Sequence, residues 1–156
     1  MQQDEPAKRY VFAYGSLLNP ASMAKDIRAK YFTTWATLHD YERIFETPLK
    51  GSLALNIREQ AGKNIDGMLI EADDKTYTAL ERREKGYTAV DVTASITCTR
   101  GLAKDALVYT FISASGEYPD MHISPEYYDT CINAIPESLR SDWIATTIRN
   151  NPIISP

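Results

Sequence analysis

A glutamate stands where the face of a helix should be apolar. The segment "DDKTYTALERREKGY" predicts a helix whose apolar residues Tyr77 and Leu80 lie three positions apart, and four more positions along that face reach Glu84. A carboxylate that leaves water has a raised pKa, and a glutamate of raised pKa suits a general base near neutral pH. The alternative is that Glu84 points to solvent or pairs with a nearby arginine, because helical phase drifts at a C-terminus.

The second candidate is the turn in "YVFAYGSLLNPASM" near the N-terminus. A strand-like run ends at Gly15 and Ser16, and Asn19 followed by Pro20 predicts the start of a helix that continues to about Arg28. Backbone N–H groups in such a turn, beside a helix N-terminus, suit a carboxylate ligand. The alternative is an ordinary turn. The segment lacks the glycine patterns of nucleotide loops and the G-x-S-x-G motif, and its serine has no evident histidine–acid partner.

The elements that must position these residues follow from periodicity and breaker residues. Strands are predicted over 9–14, 31–38, 41–46, 52–57, 64–72, 90–99 and 106–112, and helices over 20–28, 75–84, from Ser124, and over 137–149. The 90–99 stretch alternates apolar and polar residues, and we expect it to form a hairpin with 106–112 through "RGLAKD". Gly67 is expected to be a bulge or a site of close approach.

This order of elements predicts the α+β class. Strands dominate the first two thirds of the chain and their spacing is short, so we expect a small, twisted, mixed or antiparallel sheet or partial barrel with a few flanking helices. The length of 156 residues predicts one domain over 1–156, with a flexible N-terminus at 1–8 and a C-terminal tail at 150–156.

Composition narrows the classes of function. A net charge of -4 without a Lys/Arg cluster argues against nucleic acid and favours a small molecule. The polar N-terminus and the lack of a long apolar run predict a cytoplasmic protein with no membrane partner. Cys98 and Cys131 are interpreted as reduced packing residues, and His39 and His122 lack the spacing of a zinc site. The oligomeric state stays open.

Four segments in order resemble the γ-glutamylcyclotransferase family, including its AIG2-like members. "FAYGSLL" (12–18) resembles the substrate-binding loop, "LERREKGY" (80–87) the L-D-x-x-E segment, "ALVYTFIS" (106–113) a later strand with an inward tyrosine, and "SPEYYDTCINAI" (124–135) the S-P-x-Y helix start. The chain departs from the family pattern at Glu81, where aspartate is frequent, and at Leu17, where asparagine is frequent.

The resemblance implies a set of site residues. It makes Glu84 the catalytic residue, and it makes the substrate-binding residues Tyr14, Gly15, Ser16, Leu17, Tyr87, Tyr109 and Tyr127. It also implies an α-amine that attacks its own γ-glutamyl amide, forming 5-oxoproline and releasing an amine. Neither a metal nor an organic cofactor is expected for that reaction.

Three functional hypotheses remain at this point. The first is the cyclising enzyme, whose leaving amine could be an amino acid, a simple amine, an isopeptide or the remainder of glutathione. The second is a non-catalytic small-molecule-binding or interaction protein on the same fold, since folds do not determine function. The third is a hydrolase or amidotransferase that uses Ser16 or a cysteine as nucleophile.

Overall fold

The computed structural model describes residues 8–15, 32–84, 86–98, 102 and 105–154. Within them lie seven strands and three helices. Their bounds are β1 (Arg9–Ala13), β2 (Phe32–Leu49), β3 (Ser52–Glu71), α1 (Asp74–Arg83), β4 (Thr88–Asp91), β5 (Ile96–Cys98), β6 (Leu107–Ile112), α2 (Pro125–Asn133), α3 (Glu137–Thr146) and β7 (Thr147–Ile148), with a single 3₁₀ turn at Thr93–Ser95. None of the helices in this part of the chain is long and apolar enough to cross a membrane.

The strands form one open, mixed sheet. Their order is β4-β6-β1-β3-β2-β5, and β7 pairs with β2 beside that path. The central strand β1 runs antiparallel to β3 and parallel to β6. This arrangement confirms the α+β prediction and shows a sheet with two edges, β4 and β5, rather than a closed barrel among the described strands.

The prediction that 31–38 and 41–46 are separate strands is wrong, as is the separation of 52–57 from 64–72. Each pair is one continuous strand, β2 and β3, and together they form a long antiparallel hairpin. The expected break at Asp40 is a bulge, where the backbone takes a φ of 65° and the register shifts. The Asp40 carboxylate accepts a hydrogen bond from the Gly62 backbone N–H at 2.9 Å, which holds the irregular part of both strands together.

The predicted continuous strand over 90–99 is also wrong. The Asp91 carboxylate accepts hydrogen bonds from the Thr93 backbone N–H and hydroxyl at 2.9 and 2.6 Å, and this local turn interrupts the strand. The two halves reach opposite edges of the sheet: β4 pairs with β6, and β5 pairs with β2. The expected hairpin through residues 100–105 is therefore replaced by an antiparallel β4–β6 pair, and residues 99–101 and 103–104 lie outside the described part.

The predicted starts of the helices within the described residues are confirmed. α1 begins as predicted, with the Asp73 carboxylate accepting a hydrogen bond from the Thr76 N–H at 2.7 Å, and α2 begins after Ser124. α3 ends three residues earlier than predicted, because Thr147 and Ile148 pair with β2. The expected helix at 20–28 and residues 1–7 of the expected flexible N-terminus lie outside the described residues.

The core lies between the sheet and the helices. Val11 and Phe12 of β1, Leu69 of β3 and Leu80 of α1 are each at most 1% exposed. Leu80 thus packs in the same core as the central strands β1 and β3. This contact fixes the position of the C-terminal end of α1 relative to the sheet.

A substitution at Gly67 tests the close approach of β1 and β3. A Cβ atom at this position would lie 2.3 Å from the Ala13 carbonyl oxygen and 2.5 Å from Cζ of Phe12. Gly67→Ala should therefore lower the free energy of unfolding by about 3 kcal/mol through overpacking. Gly62→Ala, in the same strand at a φ of +81° with open space around it, should lower it by only about 1 kcal/mol. Urea unfolding of both variants measures the difference, and equal losses would contradict the packing argument.

Candidate active site

Glu84 caps the C-terminus of α1 and turns its carboxylate toward the sheet. Its backbone N–H donates to the Leu80 carbonyl at 3.0 Å, and its side chain is only 14% exposed. The helix face is the one that the spacing of Tyr77 and Leu80 predicts. Burial raises the pKa of the Glu84 carboxyl, and the Arg83 guanidinium, 3.7 Å from Oε1, partly opposes that rise.

A small cavity of about 30 Å³, partly open to solvent, lies beneath this carboxylate. Its lining comes from four strands or strand ends, the end of α1 and the start of α2: Phe12, Tyr14, Gly15, Leu55, Glu84, Tyr87, Phe111 and Tyr127. Five of the residues predicted from the sequence therefore meet in one place, and Glu84 supplies the carboxyl group of the lining.

Two tyrosine hydroxyls hold the backbone of Leu55 in the cavity wall. Tyr127 accepts from the Leu55 N–H at 3.0 Å, and Tyr87 donates to the Leu55 carbonyl at 2.7 Å. β1 pairs with β3 at residues 68–71, so at Leu55 these hydroxyls take the place of a strand neighbour. Burial raises the pKa of Tyr87 to about 12 and that of Tyr127 well above its usual range, so both are neutral at physiological pH.

Tyr14 and Gly15, which follow β1, form another part of the cavity wall. The buried Tyr14 hydroxyl donates to the Phe111 carbonyl at 2.5 Å, and burial raises its pKa well above the usual range. Gly15 follows, and a Cβ atom there would come within 3.3 Å of Leu55 Cδ2. A side chain at this position would therefore intrude on the cavity. Ser16 and Leu17, the other residues predicted in this turn, lie outside the described residues.

Tyr109 is placed differently from the other predicted tyrosines. Its ring packs at 69° against Tyr77, with 5.9 Å between centroids, and it is not part of the cavity lining. Phe111, two residues further along the same face of β6, lines the cavity instead. Sequence reasoning missed Phe12, Leu55 and Phe111, because apolar strand residues in a cavity wall have the same pattern as core residues.

The buried cysteine Cys131 does not offer a ready nucleophile. Both cysteines are free, and Cys131 is 1% exposed. Burial raises the pKa of its thiol to about 12, so thiolate is scarce at neutral pH. Within the described part of the chain, no group of three His, Cys, Asp or Glu side chains has the arrangement of a metal site.

Comparison with known proteins places this geometry in context. Residues 11–129 match the family model described as gamma-glutamyl cyclotransferase, AIG2-like. No protein with curated function is significantly similar to the chain in sequence.

Solved structures share the fold. One named gamma-glutamyl cyclotransferase superposes with a TM-score of 0.71 at 16% identity, covering 92% of this chain and 90% of that one. An uncharacterized protein from Homo sapiens gives 0.70 at 17% identity, with 93% and 91% covered. A protein from Arabidopsis thaliana, known from its solution structure, gives 0.56 at 25% identity, with 78% and 71% covered.

The raised pKa of Glu84 predicts how this residue affects stability. Its pKa in the folded state lies above the unfolded value, so the stability contributed by the neutral carboxyl is present at acidic pH and is lost as the pH rises through the folded pKa. Glu84→Gln should therefore melt at a higher temperature than the parent near pH 8 and at the same temperature near pH 4. Glu81→Gln, at an exposed position on the same helix, should change neither melting temperature. A lower melting temperature for Glu84→Gln near pH 8 would show that the ionised carboxylate stabilises the fold.

Proposed function

The chain belongs to the gamma-glutamyl cyclotransferase, AIG2-like family, and we propose that it converts a γ-glutamyl amino acid or amine to 5-oxoproline and the free amine. The observation that carries this proposal is the buried Glu84 carboxylate in a cavity shared with Tyr14, Gly15 and two neutral tyrosines. A base of raised pKa that faces a cavity is what the reaction requires.

The proposed reaction is an intramolecular transfer. The α-amino nitrogen of the glutamyl group attacks its own γ-carbonyl carbon and closes a five-membered ring. The bond from that carbon to the leaving nitrogen then breaks. Since nucleophile and electrophile belong to one molecule, holding the substrate in a folded conformation supplies much of the acceleration. The cavity walls formed by Leu55 and Phe111 restrict that conformation.

Glu84 handles the protons in this proposal. The α-amine reaches the site as an ammonium ion and cannot attack until it loses a proton. The Glu84 carboxylate accepts that proton and returns it to the leaving nitrogen as the C–N bond breaks. The ring nitrogen loses a second proton after the attack, and the leaving amine takes up that proton and departs as an ammonium ion. The backbone amides that follow Tyr14 would bind the glutamyl carboxylate and orient the amine toward Glu84.

The direct test compares Glu84→Gln with the parent protein. Mass spectrometry should detect 5-oxoproline when the parent is incubated with a panel of γ-glutamyl dipeptides and amines. Glu84→Gln should be slower by about two to four orders of magnitude, the range for loss of acid–base catalysis. Glu81→Gln on the exposed side of α1 is the matched control and should retain the parent rate.

The same assay separates the other hypotheses. A melting shift with these compounds but no product from the parent would favour a binding protein. An intact-protein mass increase during turnover would indicate a covalent nucleophile instead of direct cyclisation. Parent-like turnover by Glu84→Gln would remove Glu84 from the proton-transfer role.

Arg83 should affect the pH dependence of kcat/KM through the pKa of Glu84. Its guanidinium lowers the pKa of Glu84 against the effect of burial. Arg83→Gln should therefore raise that pKa further and move the acidic limb of the kcat/KM profile to higher pH. Arg82→Gln, the exposed neighbour, should leave the limb in place. An unchanged or lower limb in Arg83→Gln would mean that another group controls it.

A further inference from the structure

A buried carboxylate that forms no ion pair among the described residues lies on β2, outside the cavity lining. Glu46 is 3% exposed. It accepts hydrogen bonds from Asn56 Nδ2 at 2.7 Å and, more weakly, from Ser115 Oγ and the Gly116 N–H at 3.4 Å each. The ion pairs found among the described residues do not include it. Neutral donors thus hold this charge in the interior, and Asn56 supplies the shortest contact.

Asn56 uses the rest of its amide to grip the backbone of Ser113. Its side chain is fully buried, Oδ1 accepts from the Ser113 N–H at 2.9 Å, and Nδ2 also donates to the Ser113 carbonyl at 3.2 Å. The amide therefore pairs with Ser113 as a neighbouring strand would. A carboxylate only accepts hydrogen bonds, so the contact with Glu46 requires Nδ2 on that side, which is the orientation that the Ser113 N–H and carbonyl also require.

Ser113 directly follows β6 and connects this pairing to the cavity. Two residues earlier, Phe111 lines the cavity with its ring and accepts the Tyr14 hydroxyl with its carbonyl. The Ser113 hydroxyl also contacts the Thr47 hydroxyl on β2. The end of β6 is thereby tied to both long strands immediately beyond the wall that carries the Tyr14 contact.

We propose that Glu46 and Asn56 are positioning residues for the site, acting through Ser113 on the wall made by Phe111 and Tyr14. The proposal rests on the proposed function for its kinetic readout. Without Glu46, the Asn56 amide loses its shortest hydrogen bond, and only its two contacts to the Ser113 backbone hold it in place. The end of β6, and with it the acceptor of the Tyr14 hydroxyl, then loses its fixed position.

A double-mutant cycle tests this coupling. Glu46→Leu, which removes the acceptor, should lower kcat/KM for 5-oxoproline formation by about tenfold. Glu46→Gln retains an acceptor oxygen for Asn56 and should stay within about threefold of the parent. In a Tyr14→Phe background, the Leu substitution should cost less than about threefold, because the contact through which it acts is already gone.

Glu42 offers a matched control. It is 8% exposed, lies four residues earlier on β2, and pairs with Arg58 at 2.7 Å. Glu42→Leu should lower the melting temperature without changing kcat/KM. An equal loss from Glu46→Leu in both backgrounds, or no loss at all, would overturn the proposal. Should Glu46→Leu fail to fold, Asn56→Ala, which removes both side-chain contacts to the Ser113 backbone, enters the same cycle with an expected loss of about tenfold.

Amide hydrogen exchange separates failure of this proposal from failure of the proposed function. In Glu46→Gln and Glu46→Leu, NMR should show less protection of the Ser113 N–H, with the larger loss in the Leu variant. The Val108 N–H, held by the Thr93 hydroxyl at 2.8 Å, should be unchanged in both. A parent without any cyclase activity would refute the proposed function alone. Unchanged Ser113 protection in Glu46→Leu would refute the positioning role alone.

Discussion

Packing of α1 on the sheet through Leu80 forces the carboxylate at the end of the helix out of water. Leu80 is completely buried, and the helix ends four residues later at Glu84. The Glu84 side chain is only 14% exposed, so most of its surface is removed from water at this helix–sheet contact. The fold thus holds a carboxyl group with a raised pKa, at a free-energy cost that the rest of the core must offset.

Two neighbouring residues of β3, Leu55 and Asn56, form different kinds of hydrogen bond near the cavity. At Leu55 the backbone is satisfied by tyrosine hydroxyls, which keep the cavity polar without adding charge. At Asn56, one residue later, the side-chain amide accepts a hydrogen bond from the Ser113 N–H and donates one to the Glu46 carboxylate. Both arrangements replace a missing strand neighbour with a side chain, and both fix a segment that ends at the cavity.

Much of the arrangement could be predicted from the sequence where local chemistry decides it. The capping residues Asp73 and Ser124 and the phase of Glu84 depend on residues nearby in the chain. Gly67 marked its own close approach by its residue type, although its neighbours Phe12 and Ala13 are distant in the chain. Prediction failed where a polar side chain overrode the periodic pattern, as Asp91 did within the alternating stretch. The choice of Phe111 rather than Tyr109 for the cavity also could not be foreseen, because it depends on how far β6 runs beneath α1.

The central place of β1 has a consequence for how the protein is made. This strand is near the start of the chain, yet one neighbour is β6, and the Phe12 carbonyl accepts a hydrogen bond from Thr110, 98 residues later. At a synthesis rate of about 5–20 residues per second, the nascent strand waits about 5–20 s for that neighbour. The cavity beside Glu84 is therefore among the last features to assemble, because Tyr127 completes its wall only after the strands at the centre of the sheet have been synthesised.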